Sequence, residues 1–117
     1  MTQPGSPALI VLPDAGPLIT LAYADALDLL LAPGWPVRVV DMVLEEVTRT
    51  ATPTSAKIAH WVAEQGLTIV ATRTGAHYRA ARAEGGAKRA WSNLGELAIQ
   101  EAMHELALTE PDNVAVF

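Results

Sequence analysis

The sequence contains no cysteine, which excludes a disulfide framework or a thiolate zinc site and agrees with a reducing compartment. Its first residues, Met-Thr-Gln-Pro-Gly-Ser-Pro, lack the basic segment of a signal peptide, and the apolar run that follows is too short to span a bilayer. Gly-x-Gly-x-x-Gly is absent, and Gly85-Gly86 lacks Walker spacing and its Lys-Ser/Thr ending, which argues against dinucleotide and P-loop sites. His60, His77 and His104 are too scattered for a metal motif and are expected on the surface or between helices. Positive charge is scarce as well. Eight Lys and Arg against thirteen Asp and Glu give a net charge of −5, which opposes sequence-independent binding of nucleic acid by the whole molecule. There is no internal repeat and no low-complexity segment. These absences predict a soluble cytoplasmic protein with no membrane segment.

The 117 residues fit one domain, 1–117, with 1–7 flexible; a chain of this length buries roughly two-thirds of its unfolded surface. Half the residues are apolar and 18% are charged, a globular composition. Ala8 to Leu12 is a continuous aliphatic run suited to a strand buried on both faces of a parallel sheet. It stops at Asp14. Gly16 and Pro17 are expected to open a helix, with Pro17 at the first helical position. Leu18, Leu21 and Ala22 mark its buried face, and Ala26, Leu29 and Leu30 continue an apolar side to Pro33-Gly34 after a short break. Val37 to Val40 reads as a second strand, with Asp41 as N-cap of a helix to about Arg49. Thr52-Pro53 caps the next helix, whose stripe of Ile58, Trp61 and Val62 ends at Gly66. Leu67 to Ala71 is a third strand. A helix around Tyr78 and Ala81, an interruption at Gly85-Gly86, a helix from Asn93 to about Leu108 and a strand from Asn113 to Phe117 complete an α/β alternation. That rhythm belongs to a parallel sheet with helices on its faces.

Asp14 stands where a strand hands over to a helix, and in open α/β sheets ligands gather outside the carboxyl ends of strands. The competing reading is a cap on the following amides. Glu45 lies four residues before Arg49, the order that favours a surface ion pair, whereas Glu46 lies beside Val43 and Val47 near the expected buried face. Asn93-Leu94-Gly95-Glu96 resembles a capping box. Yet Glu96 also heads the row Ile99, Met103, Leu106 that is expected to pack on the sheet. Bringing Asp14, Glu46 and Glu96 within about 4 Å costs on the order of 4 kcal/mol per pair at an effective dielectric near 20. A bound divalent cation removes that cost. Oxygen-only ligands favour Mg²⁺ or Mn²⁺, and the natural chemistry is metal-assisted hydrolysis of a phosphodiester.

Val11-Leu12-Pro13-Asp14-Ala15-Gly16-Pro17-Leu18-Ile19 resembles the opening acid motif of the PIN domain, the metal-dependent ribonuclease fold of VapC-type toxins. Val39 to Val47, with Glu46 three residues after Val43, is similar to that family's second acid segment, and Leu94-Gly95-Glu96-Leu97-Ala98 to its Gly-Glu helix start. The resemblance implies a PIN-like three-layer sandwich, a central parallel sheet with helices on both faces. It further implies an Mg²⁺- or Mn²⁺-dependent endoribonuclease, the toxin of a type II toxin–antitoxin system, with Asp14, Glu46 and Glu96 as catalytic metal ligands. An antitoxin partner, an RNA substrate and a homodimer come with it. Two departures stand out. Gly16 replaces the family's Ser or Thr, and the family's fourth acid falls after the strand that here would be Val114 to Phe117. Either the domain is truncated there, or the chain has lost part of the site and acts as a non-catalytic PIN-like interaction module. Arg73, Arg79, Arg82, Lys88 and Arg89 gather five of the eight Lys and Arg. Beside an acidic rim they are candidates to follow RNA phosphates while Tyr78 or Trp91 stacks a base. A receiver-type domain is the first rival on such a sheet, but it needs paired acids after strand one and an Asp after strand three, where Thr72-Arg73 stands.

Overall fold

The computed structural model describes residues 10–84, 94–109 and 114–116. Along the chain they form β1 (Ile10–Leu12), α1 (Ala15–Tyr23), a 3₁₀ turn (Leu27–Leu31), β2 (Arg38–Val40), α2 (Asp41–Thr48), α3 (Pro53–Gln65), β3 (Thr68–Val70), α4 (Arg73–Ala83), α5 (Leu94–Thr109) and β4 (Val114–Val116). The protein is α/β. Two parallel pairs form its strands, β1 with β4 and β2 with β3, with Leu12 opposite Val116 and Val40 opposite Val70. A single parallel bridge between Val11 and Val37, and a 2.8 Å bond from the Val11 amide to the Pro36 carbonyl, join the pairs. The spatial order is therefore β4-β1-β2-β3. The chain steps from β1 through β2 to β3 on one side, then returns to β4 on the other, which makes the β1/β4 boundary a topological switch point.

Local chemistry explains most boundaries. Thr52 accepts the Ser55 amide while the Ser55 hydroxyl accepts the Thr52 amide, a reciprocal capping box with Pro53 in the first turn of α3. Gly66 ends that helix at φ 62°, a left-handed conformation that costs glycine little. The core runs through Ile10, Leu12, Leu18, Val39, Val40, Met42, Val43 and Ile58, each at most 2% exposed. Trp61 is buried, and its Nε1 donates to Asp28 at 2.8 Å. Among the described residues no helix is long and apolar enough to cross a membrane.

Several expectations are corrected. The first helix begins at Ala15 with Asp14 as its cap, so Pro17 is its third residue. Asp41 is the first residue of α2 and Val40 its N-cap. After the break at residues 24–26 the chain winds as a 3₁₀ turn, whose three-residue period buries Leu27 and Leu30 and leaves Leu29 63% exposed. On α5 the buried row is Gly95, Ala98, Ile99 and Ala102. Small residues there bring α5 close to α2, and Glu96 and Met103 face outward. Glu46 is likewise exposed rather than close to the core. The expected cap Asn93, with Lys88, Arg89, Trp91, Asn113 and Phe117, lies outside the described residues.

Candidate functional site

Asp14 follows β1 at the switch point, and its Oδ1 accepts the Ala15 amide at 2.7 Å. It is thus the cap that one reading of the sequence required, and its half-buried carboxylate also stands at the carboxyl rim. Glu46 lies on the second turn of α2. A Cβ built on Gly95 would stand 2.5 Å from Glu46 Oε1 and 3.9 Å from the Met42 carbonyl. The Glu46 carboxylate therefore lies against the first turn of α5, beside the residue that precedes Glu96. Absence of a side chain at position 95 is what allows this approach.

The acids fall into two groups. Asp41, Glu45 and Glu101 are each bound by hydroxyls, amides or arginines, while Asp25 pairs with Lys57 and Asp28 with Trp61. The side chains of Glu46, Glu84 and Glu96 have no hydrogen bond or ion pair among the described residues, and the Asp14 carboxylate has only its bond to the next amide. The three candidates are thus left without basic partners. They are not gathered into a ligand set, however: among the described residues no group of three or more His, Cys, Asp or Glu is placed to hold a metal ion. Their oxygen donors suit a hard divalent cation, but the side chains as they stand do not enclose one.

Sequence reasoning missed the roles of Asp41 and Glu101. Asp41 accepts the Thr72 amide at 2.9 Å and the Thr72 hydroxyl at 2.8 Å, tying the end of β2 to the end of β3. Thr72 Oγ1 in turn accepts the Gly75 amide at 2.9 Å. Glu101 accepts the Arg73 and Thr74 amides at 2.6 and 3.0 Å, and the Thr74 hydroxyl at 2.9 Å. Three otherwise orphaned amides of α4 are so satisfied, and negative charge sits at the positive end of its dipole. Burial pushes the Glu101 carboxyl up, but the Arg73 and Thr74 amides, the Thr74 hydroxyl and the Arg73 charge outweigh it and hold the group below its ordinary value. Thr72 as a cap was the one local signal; the carboxylate partners left none.

The candidate arginines that are described are exposed but engaged. Arg73 pairs with Glu101, Arg79 with Asp41, and Arg82 with Glu45 and the Tyr78 hydroxyl. Tyr78 is 3% exposed, which removes it as a platform for a stacked base. Its hydroxyl donates to Glu45 at 3.1 Å and accepts from Arg82 at 2.8 Å. The guanidinium groups of Arg49 and Arg82 lie 5.8 and 5.7 Å from its ring centre. The expected Glu45–Arg49 pair forms at 3.6 Å. Contact of Arg82 with the Tyr78 hydroxyl, first of all the hydrogen bond, together with the charge of Glu45, raises the Arg82 pKa above its ordinary value against the opposing effect of burial. No protein-family model, curated protein or solved structure matches this chain.

Proposed function

We propose that the chain is a PIN-like, metal-dependent endoribonuclease, the toxin of a type II toxin–antitoxin pair, in which Asp14, Glu46 and Glu96 hold Mg²⁺ or Mn²⁺. The observation that carries this reading is where three acids without basic partners among the described residues stand. Asp14 lies at the switch point, and Glu46 lies over the residue before Glu96. Strand order supports it too. The strands pair in parallel in the order β4-β1-β2-β3 and are joined through helices, the parallel sheet that the sequence resemblance implies. A hard cation held by these carboxylates supplies Lewis acidity and lowers the pKa of a water near a phosphodiester. The chain's own part is to present the carboxylates: Asp14 fixed by its cap, Glu46 and Glu96 on two packed helices. Ile19, Tyr23 and Leu29, exposed on the early helical segments, suit an antitoxin or a second copy.

The test is Mn²⁺-dependent cleavage of single-stranded RNA by the purified chain. Cleavage that Asp14→Asn, Glu46→Gln and Glu96→Gln each abolish supports the reading, and full cleavage by the Asp14 variant ends it. A second reading is favoured by one observation, that the acids do not stand as a ligand set. A non-catalytic PIN-like interaction module would leave RNA intact at any Mn²⁺ concentration.

A further inference from the structure

We propose that Arg49 and Arg82, held over Tyr78 and tethered by Glu45, form a two-arginine clamp for a backbone phosphate of single-stranded RNA. The inference rests on the ribonuclease reading and names how its substrate is gripped. Arg49 meets Glu45 through Nε, and Arg82 meets Tyr78 and Glu45 through a single terminal nitrogen. Each guanidinium carries five N–H donors in a planar fork, so both keep donors for an outside anion. Their side chains are 38% and 59% exposed, within reach of one. Two positive charges face one carboxylate, which leaves the cluster cationic in a molecule of net charge −5.

Contact with the Tyr78 ring limits the freedom that each arginine loses on binding. Glu45 occupies the place of a ligand: an anion that accepts a hydrogen bond from the phenol and pairs with both guanidiniums at 3.6 and 3.8 Å, the groups an outside phosphate would meet. Location argues for RNA over an acidic protein segment. Glu45 and Glu46 are neighbours on one turn of α2, so the clamp lies within about one helix diameter, some 10–12 Å, of the unpartnered Glu46. A stacked strand carries a charge about every 3.4 Å, and a few nucleotides span the distance from the clamp to Glu46.

Binding of a fluorescein-labelled single-stranded RNA oligomer, followed by anisotropy in EDTA across a salt series, tests the clamp. Arg49→Gln with Arg82→Gln is expected to weaken binding about tenfold and to flatten the salt dependence by roughly 0.7 per lost phosphate contact. Glu45→Gln is expected to tighten binding by about threefold or more, because the internal competitor loses its charge. A purely structural cluster predicts no gain there. Equal binding by the double glutamine variant, or no tightening by Glu45→Gln, overturns the clamp, as does capture of a polyglutamate peptide in preference to RNA. Should the glutamine pair fail to fold, Arg49→Lys with Arg82→Lys keeps charge and loses the fork, and undiminished binding by that pair overturns it equally. Clamp-dependent RNA binding without Mn²⁺-dependent cleavage sinks the ribonuclease reading alone. Cleavage with an unchanged KM in the double variant sinks the clamp alone.

Discussion

At Gly75 two rules of helix stability oppose each other. Alanine is favoured over glycine by about 1 kcal/mol in a helix interior, but a Cβ there would stand 2.6 Å from the Asp41 Cγ. Because that carboxylate is bound to both the amide and the hydroxyl of Thr72, it has little room to withdraw. Gly75→Ala is therefore expected to lose about 1–3 kcal/mol in urea unfolding. Gly95 presents the opposite case. The atom in the way is the end of the exposed, flexible Glu46 side chain, so Gly95→Ala should stay within about 1 kcal/mol of wild type while displacing Glu46 and abolishing RNA cleavage. Glu101 adds a pH dependence. Its folded pKa is depressed, so its stabilisation is present above the ordinary carboxylate range and is lost as pH falls from about 4.5 through the depressed value. Glu101→Gln should lower stability by about 1–2 kcal/mol at pH 7, and the melting temperatures of variant and wild type should converge at the acid end of a titration. Asp14 was legible in the sequence because it directly follows a strand. Asp41 and Glu101 were not, because their partners lie 31 and 28 residues away and no local periodicity records such a pairing.

Among the elements, α3 is the best specified by its own residues. Thr52, Pro53, the stripe of Ile58, Trp61 and Val62, and Gly66 all act within one segment. Thr52→Ala should cost about 1 kcal/mol through loss of the reciprocal cap, read from the shift of the thermal midpoint. The four strands were legible for the same reason, as short aliphatic runs between turn residues. The packed face of α5 was legible only in part. Of the expected row Ile99, Met103 and Leu106, Ile99 is buried and Leu106 packs against the core while Met103 is exposed; the face also buries Gly95, Ala98 and Ala102, with Gly95 against α2, because close approach there rewards small side chains over large ones. The 3₁₀ turn misled in a similar way: Leu27 to Leu31 is apolar at nearly every position, and composition alone does not choose between periods of 3.0 and 3.6.

On the scale of the whole molecule, strand order and helix packing place the three candidate acids, although their side chains do not form a ligand set among the described residues. With β4 returning beside β1, Asp14 lies at the place where α/β sheets open toward ligands, and packing of α2 on α5 brings Glu46 beside the start of the helix that carries Glu96. None of this pairing is written in the local pattern of the sequence. It follows from which strands meet, and it accounts for why the three carboxylates were singled out while their geometry was not foreseen. What they hold is decided by calorimetric titration of Mn²⁺ into the wild-type chain and into Asp14→Asn. Asparagine caps a helix about as well as aspartate, so both proteins should melt alike in EDTA, with Mn²⁺ binding to the wild type and lost in the variant. Equal Mn²⁺ binding by the two would contradict a metal site built on Asp14.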